Sequence, residues 1–502
     1  MMPAPAASSA ALIAEADRLR LAGNAPEALQ RMDEALALAP SDAVAHAKRG
    51  LSLGLMQRWE EALAAFDRAL ALQPRLFPAH LDRGNVLQEL GRLEESLGAY
   101  ERALALQPQA AGAWSNRGTV LHRLGRPAQA LESYDRALAL EPRLDEARFN
   151  RATTLGDLGR HAEALRGFEQ MLARYPQLAV AHWNEALCRL RLGDFARGWP
   201  KFEWRWEYAE LGLKRRSFSQ PLWQGREDLA GRTILLHAEQ GLGDAMQFCR
   251  YAPLLASRGA RIVLEVLAPM TRLARSLAGV SLVVTRGEDL PAFDFHAPLL
   301  SLPLALGTTL ETIPSQVPYL HADAGAIQTC AARLGTAPRR LRVGLAWSGN
   351  PAHTNDRNRS LPLAALRGLA SLDAQFVALH NELTQAEQAE LARLGIAYFA
   401  PELRDFADTA ALAGALDLVI SVDTSVAHLA GALGLPVWIL LPFAADWRWL
   451  LDRADSPWYP SARLFRQSAP GAWDPVLERV RDDLAPMCAR PLPAVSRKRE
   501  RG

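Results

Sequence analysis

Several things are scarce or missing in this chain, and each absence closes off a class of function. Cysteine occurs four times in 502 residues, at Cys188, Cys249, Cys330 and Cys488. None forms a CxxC pair or a Cys/His set, which argues against a structural zinc and for free thiols in a reducing cytoplasm. Neither sign of charge is in excess: 57 Lys and Arg face 55 Asp and Glu, for a formal net charge of +2. That balance gives no case for a nucleic-acid or membrane-surface partner. The first residues lack the basic start and apolar stretch of a signal peptide. The apolar run 429–445 carries Pro436 and Pro442, so it reads as helix then strand and not as an integral membrane segment. No D-x-D pair for a metal-bound diphosphate is present, so no metal and no resident cofactor are expected. No GxxxxGK[ST] loop is present, and in GLGD (241–244) the third glycine of GxGxxG is replaced by Met246. No GxSxG elbow joins a strand to a helix.

What is present begins with a repeat. Pro40, Pro74, Pro108, Pro142 and Pro176 recur every 34 residues. The same register holds Gly23, Gly91, Gly125, Gly159 and Gly193, with Gln57 as the exception. It also holds Ala28, Ala62, Ser96, Ala130 and Ala164, and the aromatics Phe66, Tyr100, Tyr134, Phe168 and Phe202. A second small-residue row is Gly50, Gly84, Gly118, Ala152 and Ala186. Small residues mark where two antiparallel helices touch, and aromatics fill the space between pairs. Glycine closes the first helix and proline stops the second. This pattern resembles the tetratricopeptide repeat, with five regular units and a degenerate sixth over residues 9–212. Such arrays commonly bind proteins or peptides, though a spacer or dimerisation element would read the same way. In the sixth unit Trp199, Phe202, Trp204 and Trp206 are too dense for a surface helix and are expected to bury the array's end.

From about 215 the periodicity changes to strands alternating with helices, which implies parallel sheets. One alternation fills 213–336, a second fills 337–490, and a basic tail at 491–502 reads as disordered. Two doubly wound domains would leave a cleft lined by the loops at their strand carboxyl ends. In the first, GLGD is expected to be a tight turn in which Gly243 leads to Asp244 at a helix start. Asp244 would be a general base or merely a helix cap. In the second, the polar loop WSGNPAHTNDRNRS (347–360) carries Asn350, Arg357 and Arg359, and arginines suit a diphosphate. Asp405 and Asp408 open a later helix, while Asp446 and Arg448 follow the last strong strand without a definite role. The stretch DLVISVDTSVAHLAGALGLPVWILLP (417–442) reads strand, loop, helix, strand. Its helix N-terminus would favour a phosphate, with hydroxyl donors from Thr424 and Ser425 and His428 one turn in. The simpler reading is that Asp423 or Thr424 only caps that helix.

Residues 233–467 resemble the metal-independent glycosyltransferases built of two Rossmann-like domains, the GT-B fold. They are most similar to family 9, the lipopolysaccharide heptosyltransferase group. The resemblance implies Asp244 of GLGD as catalytic base and Arg359, in place of the family's usual lysine, on the donor diphosphate. DTSVAHL matches the family's D-[ST]-G-x-x-H-L, carrying over Asp423, Thr424 and His428, with Ser425 in place of glycine. It implies that Asp423 binds donor sugar hydroxyls while Thr424 and the helix N-terminus face the phosphates. A nucleotide-diphospho-sugar would be donor substrate and the repeats would hold a protein partner or acceptor. A repeat array ahead of such a domain is also similar to the protein O-linked N-acetylglucosamine transferases. A different expectation is a repeat scaffold whose second half has no activity.

Overall fold

The computed structural model of the chain describes residues 8–335, 340–352 and 355–489. The 491–502 tail, the 336/337 boundary, and His353 and Thr354 of the polar loop lie outside the described residues. The chain divides into two compact units, Met1–Ala181 and His182–Gly502.

The first unit is built of helical hairpins. The pairs are Ser9–Leu21 with Ala25–Leu38, Ala43–Leu55 with Trp59–Leu72, and Phe77–Glu89 with Leu93–Leu106. Two more follow, Ala111–Arg123 with Pro127–Leu140 and Asp145–Asp157 with His161–Arg174. In Trp59–Leu72 the buried residues are Ala62, Leu63, Ala65, Phe66 and Ala69, the spacing of one helical face. The 34-residue rows have the expected physical meaning. Phe66, Tyr100 and Tyr134 lie over Gly50, Gly84 and Gly118, and a Cβ added to Gly84 would come within 2.6 Å of the Tyr100 ring. Gly23, Gly91, Gly125 and Gly159 end the first helices with φ between 71° and 81°, and Gln57 takes the same left-handed position at φ 58°. The ion pairs Arg49–Asp33, Arg83–Asp67, Arg117–Glu101 and Arg151–Asp135 repeat the register at 2.5–3.2 Å. The only GxSxG string, Gly50–Gly54, lies inside a repeat helix, with Ser52 Oγ donating to the Lys48 carbonyl.

The boundary falls inside helix Ala179–Arg191, so most of the sixth hairpin belongs to the second unit. There Trp199 and Phe202 are buried and meet Trp447 edge-on at 5.3 and 5.9 Å, and Trp199 Nε1 donates to the Thr308 carbonyl at 2.9 Å. Trp204 and Trp206 are past the helix, in the 3-10 turn Glu203–Trp206. Pro200, already within the last helix, has no N–H to continue the ladder.

Two parallel sheets follow. The first contains β1 (Thr233–His237), β2 (Arg261–Val266), β3 (Val280–Thr285) and β4 (Phe295–Pro298) in the order β3-β2-β1-β4. The second contains β5 (Leu341–Ala346), β6 (Ala374–Ala378), β7 (Ala397–Tyr398), β8 (Leu418–Val422), β9 (Val437–Leu441) and β10 (Ala462–Arg466) in the order β10-β9-β8-β5-β6-β7. Renumbered from its first strand, the second sheet has the 3-2-1-4-5-6 order of a dinucleotide-type doubly wound fold, and the first sheet has its first four strands. In each, the order reverses beside the first strand: between β1 and β4, and between β5 and β8. In doubly wound sheets ligands commonly bind beside such points.

Some elements depart from the sequence expectation. β4 lies in the proline-rich FHAP, where Pro298 closes the strand, its missing N–H tolerated at a strand end. The helix expected over 361–372 is a 3-10 turn, Leu363–Leu366, plus one α turn, Arg367–Ala370. The strand IAYF shortens to two edge residues. Arg272, after β2, pairs with Asp405 at 2.6 and 2.9 Å and also with Asp408, so those carboxylates clamp the two sheets' layers together. Among the described residues no helix is long and apolar enough to cross a membrane.

Candidate functional site

Helix Leu242–Phe248 leaves β1 and helix Ser425–Ala432 leaves β8, and their first turns touch. Gly243 is where they touch. A Cβ on it would stand 2.8 Å from His428 Cδ2 and 3.6 Å from Ser425 Cα. The expected tight glycine turn is therefore not what GLGD forms: Gly241 is extended at φ −72°, and Gly243 serves close helix approach.

Asp244 sits in the first turn, and its Oδ2 accepts from Gly241 N at 2.9 Å. Its other oxygen pairs with Arg448, which reaches it from beyond β9. Arg448 also donates from Nη1 to Asp446 at 2.9 Å and from Nε to Gln247 Oε1 at 2.6 Å. The guanidinium is buried and lies 4.5 Å over the Trp447 ring. Asp446, Asp244 and Asp423 hold its charge firmly against burial. Asp446 ends below the ordinary carboxylate value, because Arg448 outweighs burial there.

Thr424 is the N-cap of helix Ser425–Ala432: its hydroxyl accepts from Val426 N at 3.3 Å and lies 3.2 Å from Ser421 Oγ. Ser425 is the first residue of that helix. Asp423 precedes the cap. Burial, with Asp446 beside it, lifts Asp423 from 3.8 to about 6. Arg359 donates from Nη1 to the Asp423 carbonyl at 2.9 Å, packed close over Gly349. Arg357 is exposed on the same short helix, Asp356–Arg359. Asn350 is exposed, and its Oδ1 accepts from Ala352 N at 2.9 Å within its own loop.

His428 is buried one turn into its helix. Its Nδ1 is 2.9 Å from the Tyr459 hydroxyl, and its Nε2 is 4.0 Å from Asp423. Burial, then the Arg448 charge, pushes His428 down to about 3. It is therefore neutral near pH 7. If the Tyr459 hydroxyl donates to Nδ1, the ring's single proton is on Nε2 and points toward Asp423.

The structure thus gathers Asp244, Gly243, Asp423, Thr424, Ser425, His428 and Arg359 near the switch points, and leaves Asn350 to local contacts. It adds residues that sequence reasoning passed over. Gln247 and Tyr459 reach the cluster, the first being a lone amide among the buried apolar residues that follow Asp244 on its helix. Glu239, after β1, accepts from Leu300 N after β4 at 3.1 Å and from Arg205 at 3.2 Å. Burial lifts it to about 7.

The tetratricopeptide repeat model matches residues 41–111, 81–145 and 149–198. Protein FlbA of Caulobacter vibrioides is 28% identical over 320 residues, 58% of this chain and 52% of FlbA. The chain thus spans about half the length of the curated relative it matches. Similar solved structures include YrrB, described as a TPR protein with an unusual peptide-binding site. It is 26% identical, covers 35% of this chain and 91% of its own, and has a TM-score of 0.32. A tetratricopeptide repeat protein from Parabacteroides merdae is 20% identical over 40% of this chain and 79% of its own, with a TM-score of 0.36. The hairpins between residues 41 and 198 are tetratricopeptide repeats.

Proposed function

We propose that the two-sheet unit is a GT-B-type glycosyltransferase acting without a metal, and that the repeats recruit a protein partner or acceptor. One observation carries this reading. The loops at both topological switch points contribute to a single cluster that joins three carboxylates, two arginines and a helix N-terminus. A nucleotide-diphospho-sugar would lie with its phosphates against Arg359, Thr424 and the N-terminus of Ser425–Ala432. Asp423 would take its sugar hydroxyls, and neutral His428 would donate a hydrogen bond. Asp244 would take the proton of an acceptor hydroxyl as that oxygen bonds to the anomeric carbon. The glycosidic C–O bond to phosphate breaks with its electron pair leaving on the diphosphate, where fixed positive charge steadies it. Repeat arrays of this kind present surfaces for peptides or proteins.

A non-catalytic scaffold is the second reading, and a specific observation favours it: both Asp244 oxygens are engaged, one by Gly241 N and one by Arg448. One experiment separates the two. Nucleoside diphosphate release from a panel of nucleotide sugars should persist in chelator and fall ~10²–10⁴-fold in Asp244→Asn, the loss expected of a general base. No release from any donor supports the scaffold, while release unchanged in Asp244→Asn keeps the transferase and removes Asp244 as its base.

A further inference from the structure

We propose that Arg448 serves two anions in turn: the Asp244 carboxylate while the donor is absent, and the donor's diphosphate once it enters. Donor binding is then what frees Asp244 to act as a base. The proposal rests on the transfer reading above and deepens it.

The three arms of Arg448 are not alike. The Asp446 arm is local, since Asp446 Oδ1 also accepts from Arg448 N at 3.0 Å within one turn. The Gln247 arm ends on a fully buried amide. The Asp244 arm alone ends on a carboxylate of the other sheet's layer, and that carboxylate keeps a second bond, to Gly241 N, if Arg448 lets go. The guanidinium is buried and lies 4.5 Å from the Trp447 ring and 5.6 Å from the Phe248 ring, so water does not solvate it fully when Asp244 is released. Asp446 keeps Nη1, and the arm freed from Asp244 can take a phosphate oxygen, which the planar fork of a guanidinium matches. Gln247 Nε2 is buried beside it without an acceptor, a donor left over for the same anion. Arg359 and the N-terminus of Ser425–Ala432 flank Asp423 in the same cluster.

The chemistry requires some such exchange. Both Asp244 oxygens are already committed, one to a guanidinium and one to a backbone N–H, so neither is free to meet an acceptor hydroxyl. With the donor bound, Arg448 moves onto the leaving group and one Asp244 oxygen is free to take the proton of the acceptor hydroxyl. The donor therefore binds before the acceptor is deprotonated.

The test uses inorganic pyrophosphate as the probe, titrated calorimetrically into the full chain. Asp244→Asn should bind it roughly tenfold more tightly than wild type, the weight of one charge-assisted hydrogen bond no longer competing. Asp244→Ala, which removes the acceptor altogether, should do the same. Arg448→Lys should bind it at least roughly tenfold more weakly, since an ammonium cannot replace the fork. Asp244 variants that bind no tighter than wild type overturn the shared-arginine proposal, even where Arg448→Lys fails to fold. In that case wild-type binding leaves the phosphate-site reading standing. No binding by wild type or either Asp244 variant overturns both.

Discussion

Replacing Asp423 by asparagine should stabilise the protein at neutral pH. Burial and the neighbouring Asp446 lift this carboxyl from 3.8 to about 6. The sign follows from linkage. Between those two values the folded chain holds a proton that the unfolded chain has released, so folding is favoured by acid and loses that help as pH rises. Above pH 6 the full penalty applies, about 3 kcal/mol at 1.36 kcal/mol per pH unit. Asparagine keeps the shape and removes the charge, so Asp423→Asn should recover on the order of 2–3 kcal/mol at pH 7.5 and nothing at pH 3.5. In a unit of this size that is a rise of roughly 3–5 °C in melting temperature. Tryptophan emission is the assay. Two of the 13 tryptophans, Trp59 and Trp114, lie in the first unit, so the signal reports mainly the two-sheet unit. Equal melting of variant and wild type at pH 7.5 would refute the argument, as would a gain that persists undiminished at pH 3.5.

Two further outcomes follow from backbone geometry. Gln57→Gly should stabilise the repeat unit by ~0.5–1 kcal/mol in urea unfolding, because Gln57 occupies the left-handed position that glycine fills in the other repeats. A loss of stability would show that its side chain matters more than its φ. Gly243→Ala should lower the melting temperature by forcing apart the first turns of Leu242–Phe248 and Ser425–Ala432, at ~1–3 kcal/mol. It should weaken pyrophosphate binding too; unchanged stability and binding would mean that the helices do not pack as closely as the glycine implies.

The repeat array was legible because each unit solves the same local problem. Small residues, rings, glycine and proline recur at 34 residues since each helix pair meets its neighbour through the same contacts. The parallel strands β2, β5 and β8 were legible as apolar runs between turn residues. β4 was hidden because FHAP has neither alternation nor length, and only hydrogen bonding to β1 makes it a strand. Candidate residues next to a helix start, Asp244, Asp423, Thr424 and His428, could be picked out from strand–loop–helix order alone. What holds Asp244 could not. Arg448 is 204 residues away in the chain, and its sequence surroundings, two tryptophans and Asp446, give no sign of Asp244. The sequence by itself determined which segments are helices or strands, because propensity and periodicity act within a few residues. The fold decided which carboxylate meets which arginine and which histidine stays neutral, because burial and ion pairing depend on groups brought together from distant stretches of chain.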